Sequence, residues 1–164
     1  MEIAERVSSR DLRGADIFAG LPDTSLEKIA MFSKQRVYEA GEYCVVQGEI
    51  ADKLLIVNEG KIASEIRIQV APHTHTVTIA TLTKGNVAAW SALVPPHVLT
   101  GSVKCVERSR VISIMASDLQ HTFEEDPLIE CIAMRNLTRI IGARLRDSHT
   151  QLVRLIVEVI KQAK

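Results

Sequence analysis

The sequence predicts a mainly β fold with flanking helices: a double-stranded β-helix, or jelly roll, entered through N-terminal helices and left through one long C-terminal helix. Three observations carry this expectation. Between residues 34 and 115, short runs of alternating apolar and polar residues recur about every ten residues, punctuated by Gly41, Gly48, Gly60 and Gly85. A capped amphipathic segment precedes them. From Pro127 onward, about ten helical turns of chain contain no breaker except Gly142.

The leading segment "DTSLEKIAMFSK" offers Asp23 or Thr24 as N-cap, with Glu27 at capping-box distance from Thr24. Its inner face is Leu26, Ile29 and Ala30, with Phe32 or Ser33. In the β zone, "SEIRIQV" sets Ile66, Ile68 and Val70 against Glu65, Arg67 and Gln69, which predicts a half-buried strand. "HTVTIATL" does the same with Val77 and Ile79, and "RVISI" puts Ile112 and Ile114 on one face. Ser117 with Gln120 predicts a capping box for a short helix ending near Glu125. Asp126 then caps the long helix, with Pro127 in its first turn.

Along that helix Ile141, Leu145, Ser148, Leu152, Leu155 and Val159 follow a 4-3-4-3-4 spacing, a coiled-coil seam. Met134 and Leu137 roughly extend it backwards, and Gly142 beside it lets two backbones come close. The first turns are expected to fold back on the β zone, and the distal half to self-associate, because Leu155, Ile156, Val159 and Ile160 need cover. The expected division is a jelly-roll domain with its N-terminal helices over residues 1–126 and a dimerisation helix over 127–164.

Composition narrows function. The chain has 164 residues, 46% hydrophobic and 24% charged, with a formal net charge of zero. Nothing global attracts nucleic acid or an anionic membrane. No run approaches a membrane span, and "MEIAERVSSRDLRG" lacks the apolar stretch of a signal peptide. Cys44, Cys105 and Cys131 are odd in number, far apart in sequence and set in apolar surroundings, which reads as three buried, reduced thiols in a cytoplasmic protein. No local Ser/His/Asp, Cys/His or paired-carboxylate constellation suggests an enzyme.

"YEAGEYCVVQGEIADKLLIVNEGKI" carries more than periodicity. Gly41-Glu42, Gln47-Gly48-Glu49, Asp52, Leu55, Val57 and Glu59-Gly60 resemble the pattern of the cyclic nucleotide-binding domain of the CRP/FNR family. "IFAGLPDTSLEKIA" looks like that family's leading helix, and the long C-terminal helix is similar to its dimerisation helix. The resemblance covers about residues 16–160 and implies a homodimeric regulatory module with a small-molecule effector. Full-length regulators of this kind continue into a helix-turn-helix. Here only "VIKQAK" follows the heptads, so direct DNA binding is not expected.

"GNVAAWSALVPPHVLTGSV" falls where the family keeps its phosphate-binding cassette. The resemblance makes Ala88, Ala89, Trp90, Ser91, Leu99, Thr100, Gly101 and Ser102 the ligand-binding positions, with Asn86 at the family's aspartate and Ala89 at its glycine. Trp90 stands at the glutamate that holds the ribose hydroxyl. Leu99 stands at the arginine that pairs with the cyclic phosphate, and Gly101 and Ser102 at the alanine and the threonine or serine. Tight cyclic AMP or cyclic GMP binding is therefore not expected. Trp90 is either a plug in a vestigial pocket, leaving a ligand-free scaffold, or the wall of a remodelled one.

The histidines add little. His73 and His75 form an H-x-H that jelly-roll metal sites can use, but only threonines and apolar residues follow before Lys84, so no metal is expected. The resemblance also admits haem, with His97, beside Pro95-Pro96, at the pocket mouth and no second ligand in evidence. His121 reads as surface, and His149 as a solvated or interhelical residue.

Overall fold

The computed structural model describes residues 5–163; the start of the N-terminal stretch read above lies outside them. In chain order the elements are β1 (Glu5–Arg6), α1 (Ser9–Arg13), a 3-10 turn (Asp16–Phe18), α2 (Asp23–Phe32), β2 (Lys34–Tyr38), β3 (Tyr43–Val45) and β4 (Lys53–Glu59). Then follow β5 (Ile62–Val70), β6 (His73–Leu82), β7 (Val87–Ala88), a second 3-10 turn (Trp90–Leu93), β8 (Ser102–Cys105), β9 (Ser109–Met115), α3 (Ala116–Glu125) and α4 (Pro127–Gln162). Two antiparallel sheets form, one ordered β1-β2-β9-β4-β7 and the other β3-β8-β5-β6.

The centre of the larger sheet, β4 with β9, buries apolar side chains on both faces. Leu54, Ile56, Ile112 and Ile114 point away from the smaller sheet into a cluster with Leu12, Phe18, Leu26, Ile29, Leu119 and Phe123 of the helices. Leu55, Val57 and Val111 point the other way, between the sheets, onto Ile62, Leu82 and Val103. The run "LLIV" in β4 is apolar without alternation for this reason. Ile112 and Ile114 do share a face, and that face is the helix side of the sheet.

The smaller sheet differs from its sequence pattern. The β5–β6 hairpin is paired from Ile62↔Leu82 to Val70↔His73, with a register shift between Ser64 and Glu65, but β8 covers only Ile62–Glu65. Beyond that point the hairpin projects, and Ile68, Val70 and Val77 are 45%, 58% and 45% exposed. The expected half-burial therefore holds only at its base.

Two expected capping boxes are absent. Helix α2 begins at Asp23 with Pro22 as N-cap, the Ser25 and Leu26 N–H groups donating to the Pro22 carbonyl (3.0 and 3.2 Å), so Thr24 lies inside the first turn. Helix α3 begins at Ala116, whose N–H donates to the Asp52 carbonyl (2.8 Å), and Ser117 does not cap it. In both, the backbone closes the turn before the hydroxyl is reached. A box unread in the sequence lies at Ser8, where Asp11 accepts from the Ser8 N–H (2.8 Å) and hydroxyl (2.7 Å). Asp126 does cap α4, accepting from the Leu128 N–H (3.1 Å). On α2 Ser33 is buried, its hydroxyl donating to the Ile29 carbonyl, while Phe32 is half-buried.

Cys44 and Cys105, 61 residues apart in the chain, lie with their sulfurs 3.7 Å apart between β3 and β8. Both are buried, and burial pushes both thiols up from their ordinary range. Cys131 is exposed on α4, because the adjacent Ile129 and Ala133 take the inward face; only two of the three thiols are buried.

Helix α4 changes character along its length. Ile129, Ala133, Asn136 and Leu137 are buried against the body. Leu137 therefore belongs to the intramolecular core and not to a seam. The Asn136 amide donates to the carbonyls of Ile17 (3.1 Å) and Ala19 (2.8 Å), which close the first 3-10 turn. Past Ile141 no residue of α4 is buried, and Leu145, Leu152, Leu155 and Val159 are between 55% and 64% exposed. Among the described residues no helix is long and apolar enough to cross a membrane.

Replacing Asn136 with Ala leaves two carbonyls of the first 3-10 turn without this donor. Urea unfolding should show a loss of about 1–3 kcal/mol; a loss below about 0.5 kcal/mol would mean the anchor is replaced at no cost.

Candidate functional site

The site grows from the turn between β6 and β7. Gly85 has φ +87°, its N–H donates to the Val57 carbonyl (2.8 Å), and its own carbonyl accepts from the Asp16 N–H (2.9 Å). A Cβ here would strike the Gly14 carbonyl oxygen, so only glycine allows this approach. Asn86 fixes the same turn: its carbonyl side-chain oxygen accepts from the Thr83 N–H (3.0 Å) and its amide donates to Asp16 (2.8 Å). The turn is thereby tied to the helical layer.

Val87 and Ala88 then pair with Ile56 and Leu55 of β4. Ala89 adopts a left-handed conformation (φ +54°, ψ +30°) and starts the 3-10 turn Trp90–Leu93, at the position where the resemblance placed a glycine. This turn is held from below by His97, whose Nδ1 lies 3.2 Å from the Ser91 carbonyl and 3.1 Å from the Ala92 carbonyl. Carbonyls only accept, so the Nδ1 proton must sit between them.

Above this floor lies a cavity of about 610 Å³, a normal size for a small-molecule site. Of the positions expected from the sequence, Ala88, Ala89, Trp90, Ser91, Leu99, Thr100 and Gly101 line it. Ser102 does not. It is buried, and its hydroxyl accepts from the Gln47 N–H (2.9 Å), bracing β8 against the loop after β3. Gly101 passes so close to β5 that a Cβ would stand 2.9 Å from the Glu65 carbonyl oxygen. Leu99 is buried in the cluster between the sheets, its backbone bonded to Gly48 and Glu49.

Trp90 is half-buried, packs against the helix-side cluster and contributes to the cavity wall. A cavity remains beside it, with Trp90 among the residues that line it. The remaining wall comes from two sources unread in the sequence. Residues 79–82 of β6 face the cavity from the hairpin base, and α4 closes it with Ile141, Arg144, Leu145, Ser148, Gln151 and Arg154. Three expected seam residues, Ile141, Leu145 and Ser148, are thus cavity residues too, whereas Leu152, Leu155 and Val159 are not. The helical spacing 141, 144, 145, 148, 151 was the available signal, since it marks one face.

His97 is not at the mouth of this cavity. It lines a separate hollow of about 380 Å³ on the helix side, with Leu93, Phe123, Glu130 and Met134. No histidine is among the residues that line the larger cavity. His73 and His75 stand on the exposed hairpin with ring centroids 6.4 Å apart. His121 meets Glu125 at 3.4 Å on the surface, and His149 is exposed on α4. Among the described residues no group of three or more His, Cys, Asp or Glu is placed to hold a metal ion.

The family model for the cyclic nucleotide-binding domain matches residues 35–126. The chain is 25% identical over 130 residues to an uncharacterized NTE family protein of Mycobacterium tuberculosis, covering 79% of this chain and 21% of that one. It is 22% identical over 141 residues to the cyclic AMP receptor protein of Thermus thermophilus, covering 86% and 62%. The chain thus spans about a fifth of the first relative's length and less than two thirds of the second's. A crystal structure of a cyclic nucleotide-binding domain from Methylobacillus flagellatus superposes with a TM-score of 0.81 at 12% identity, covering 93% of this chain and 88% of that one.

A left-handed alanine costs about 1–2 kcal/mol. Ala89→Gly removes that cost while adding a backbone entropy cost of about 0.5–1 kcal/mol, so its melting temperature should match or slightly exceed that of the wild type. Ala89→Val should lower stability by more than about 1 kcal/mol, because a β-branched residue resists this conformation. Equal stability for the two variants would contradict the left-handed assignment.

Proposed function

The chain belongs to the cyclic nucleotide-binding domain family, and on that premise we propose that it is a regulatory ligand-sensing module whose effector is not cyclic AMP or cyclic GMP. The observation that carries this reading is the cavity itself. It is lined by seven of the eight positions that the resemblance assigns to the ligand, and its β-sheet walls present no charged side chain. Trp90 replaces the ribose acceptor and Leu99 the phosphate partner. A cyclic phosphate entering between Leu99 and Ala88 forgoes a charge-assisted hydrogen bond of about 1.5–3 kcal/mol. That is roughly a tenfold to hundredfold loss of affinity before desolvation is counted.

The role we assign is regulatory, not catalytic: the cavity lining contains a single carboxylate, Asp147, and no histidine or cysteine, so no acid–base pair or activated nucleophile supports catalysis there. Zero net charge argues against direct nucleic-acid contact. The cytoplasmic location we assign rests on the odd cysteine count.

The exposed distal half of α4 favours a second element of the reading, self-association. Leu152, Leu155 and Val159 continue a heptad spacing on a helix that has left the body, and burying them needs a second helix. Residues 127–164 act on this reading as the dimerising element. In the alternative, that helix and not the cavity is the whole function, and the domain is a ligand-free scaffold.

Isothermal calorimetry with cyclic AMP and cyclic GMP should show no binding in the micromolar range; a dissociation constant of about 1 μM or tighter for either nucleotide would overturn the ligand assignment. A metabolite screen followed by Trp90 fluorescence and melting temperature separates the sensor from the scaffold, which predicts no response in either signal. In sedimentation the wild type should run as a dimer and Leu155→Asp as a monomer. A dimer that persists in the variant would place the interface elsewhere.

A further inference from the structure

The charge missing from the cassette reappears on the opposite wall. Three charged side chains line the cavity, Arg144, Asp147 and Arg154, and all three come from α4. They are not equivalent. Asp147 and Arg154 are exposed, whereas Arg144 is half-buried. Arg154 lies ten residues further along the helix, about 15 Å from Arg144 along the axis. Among the described residues Arg144 makes no ion pair or hydrogen bond, not even with Asp147 one turn away. It is a half-buried cation at the cavity wall without a counter-charge.

Opposite it the floor is apolar. Leu82, Ala88, Leu99 and Val103 line the cavity and are each less than 5% exposed. Trp90 adds an aromatic wall. The polarity of the site is thus reversed relative to a pocket whose cation sits on the cassette. An apolar group fits at the cassette end, and a negative charge fits at the helix end.

We propose that the ligand of this cavity is an amphipathic anion, an apolar or aromatic body with one acidic head group, whose charge is met by Arg144 of α4. This rests on reading the cavity as a ligand site. A guanidinium offers a planar fork of donors that matches a carboxylate or phosphate in bidentate fashion. A head group there acquires a cationic partner at a half-buried residue, and Arg144 acquires the counter-charge it lacks. The rival account is that Arg144 lays its stem on the wall and keeps its head in solvent, with no ligand role.

The test uses the full chain and three acids, 1-naphthaleneacetate, 4-phenylbutyrate and decanoate, each paired with its uncharged amide. Binding is read by calorimetry, and by Trp90 emission for the decanoate pair. At least one acid should bind the wild type at least tenfold more tightly than its amide. Arg144→Gln should abolish that preference and Arg144→Lys should keep part of it, with circular dichroism and melting temperature unchanged in both variants. Amides that bind as tightly as their acids, or an Arg144→Gln variant that keeps the preference, would overturn the anion assignment while leaving the cavity a ligand site. Failure of all six compounds to bind the wild type would count against the anion assignment and the ligand-site reading together.

Discussion

The central apolar residues of the strand pair β4–β9 are buried on both faces, and the other elements are arranged as the two covers they require. Leu54, Ile56, Ile112 and Ile114 on one face and Leu55, Val57 and Val111 on the other are all at most 1% exposed. Burying a side chain of this size contributes about 1.5–3 kcal/mol relative to leaving it in water, so neither face can be left open. The helices α1, α2, α3 and the first third of α4 cover one; the smaller sheet covers the other. Asn136 fastens α4 into the first cover by bonding the carbonyls of Ile17 and Ala19. The cavity appears at the edge of the second cover, where β7 is two residues long and the chain turns through Ala89.

That constraint explains which parts of the molecule were legible beforehand. Turn glycines, the Asp126-Pro127 start and the unbroken length of α4 are local signals with a single physical meaning, and they read correctly. The double burial of β4 left its own mark, a solid apolar run in place of alternation. The misread features depend on partners. Thr24 and Ser117 have the right side chains for caps, but the preceding backbone closes each helix first. Ile68, Val70 and Val77 alternate as if half-buried, yet β8 is too short to shield them. The approach of Cys44 to Cys105 is a property of the β3–β8 pairing and leaves no trace in spacing.

The candidate site was half legible for the same reason. Its cassette wall is contiguous in sequence, so one quoted stretch located Ala88 to Ser91 and Leu99 to Gly101. Ser102 does not line the cavity, because a one-residue step along a strand reverses the side chain, and its hydroxyl accepts from the Gln47 N–H. The α4 wall is about 50 residues away in the chain, and Arg144 reads there as one more charged helical residue. Only the fold shows that it lines the same cavity as Leu99 and lacks a partner.

Leu145 and Ser148 occupy both the cavity wall and the heptad spacing of α4. A helix laid along that seam and a molecule lodged against Arg144 would touch the same two turns. Two binding events that share residues are coupled, and the coupling is reciprocal: whatever factor an occupied cavity applies to helix association, association applies to the cavity. Its sign follows from geometry. A partner helix that closes the open side of the wedge shields Arg144 further and strengthens its attraction for an anion, because the local dielectric falls. A partner helix that pulls α4 away from β6 widens the wedge and weakens it. The short, firmly anchored stretch between Asn136 and Ile141 favours the first, since a helix fixed at its base has less freedom to swing from the sheet than to be covered where it stands.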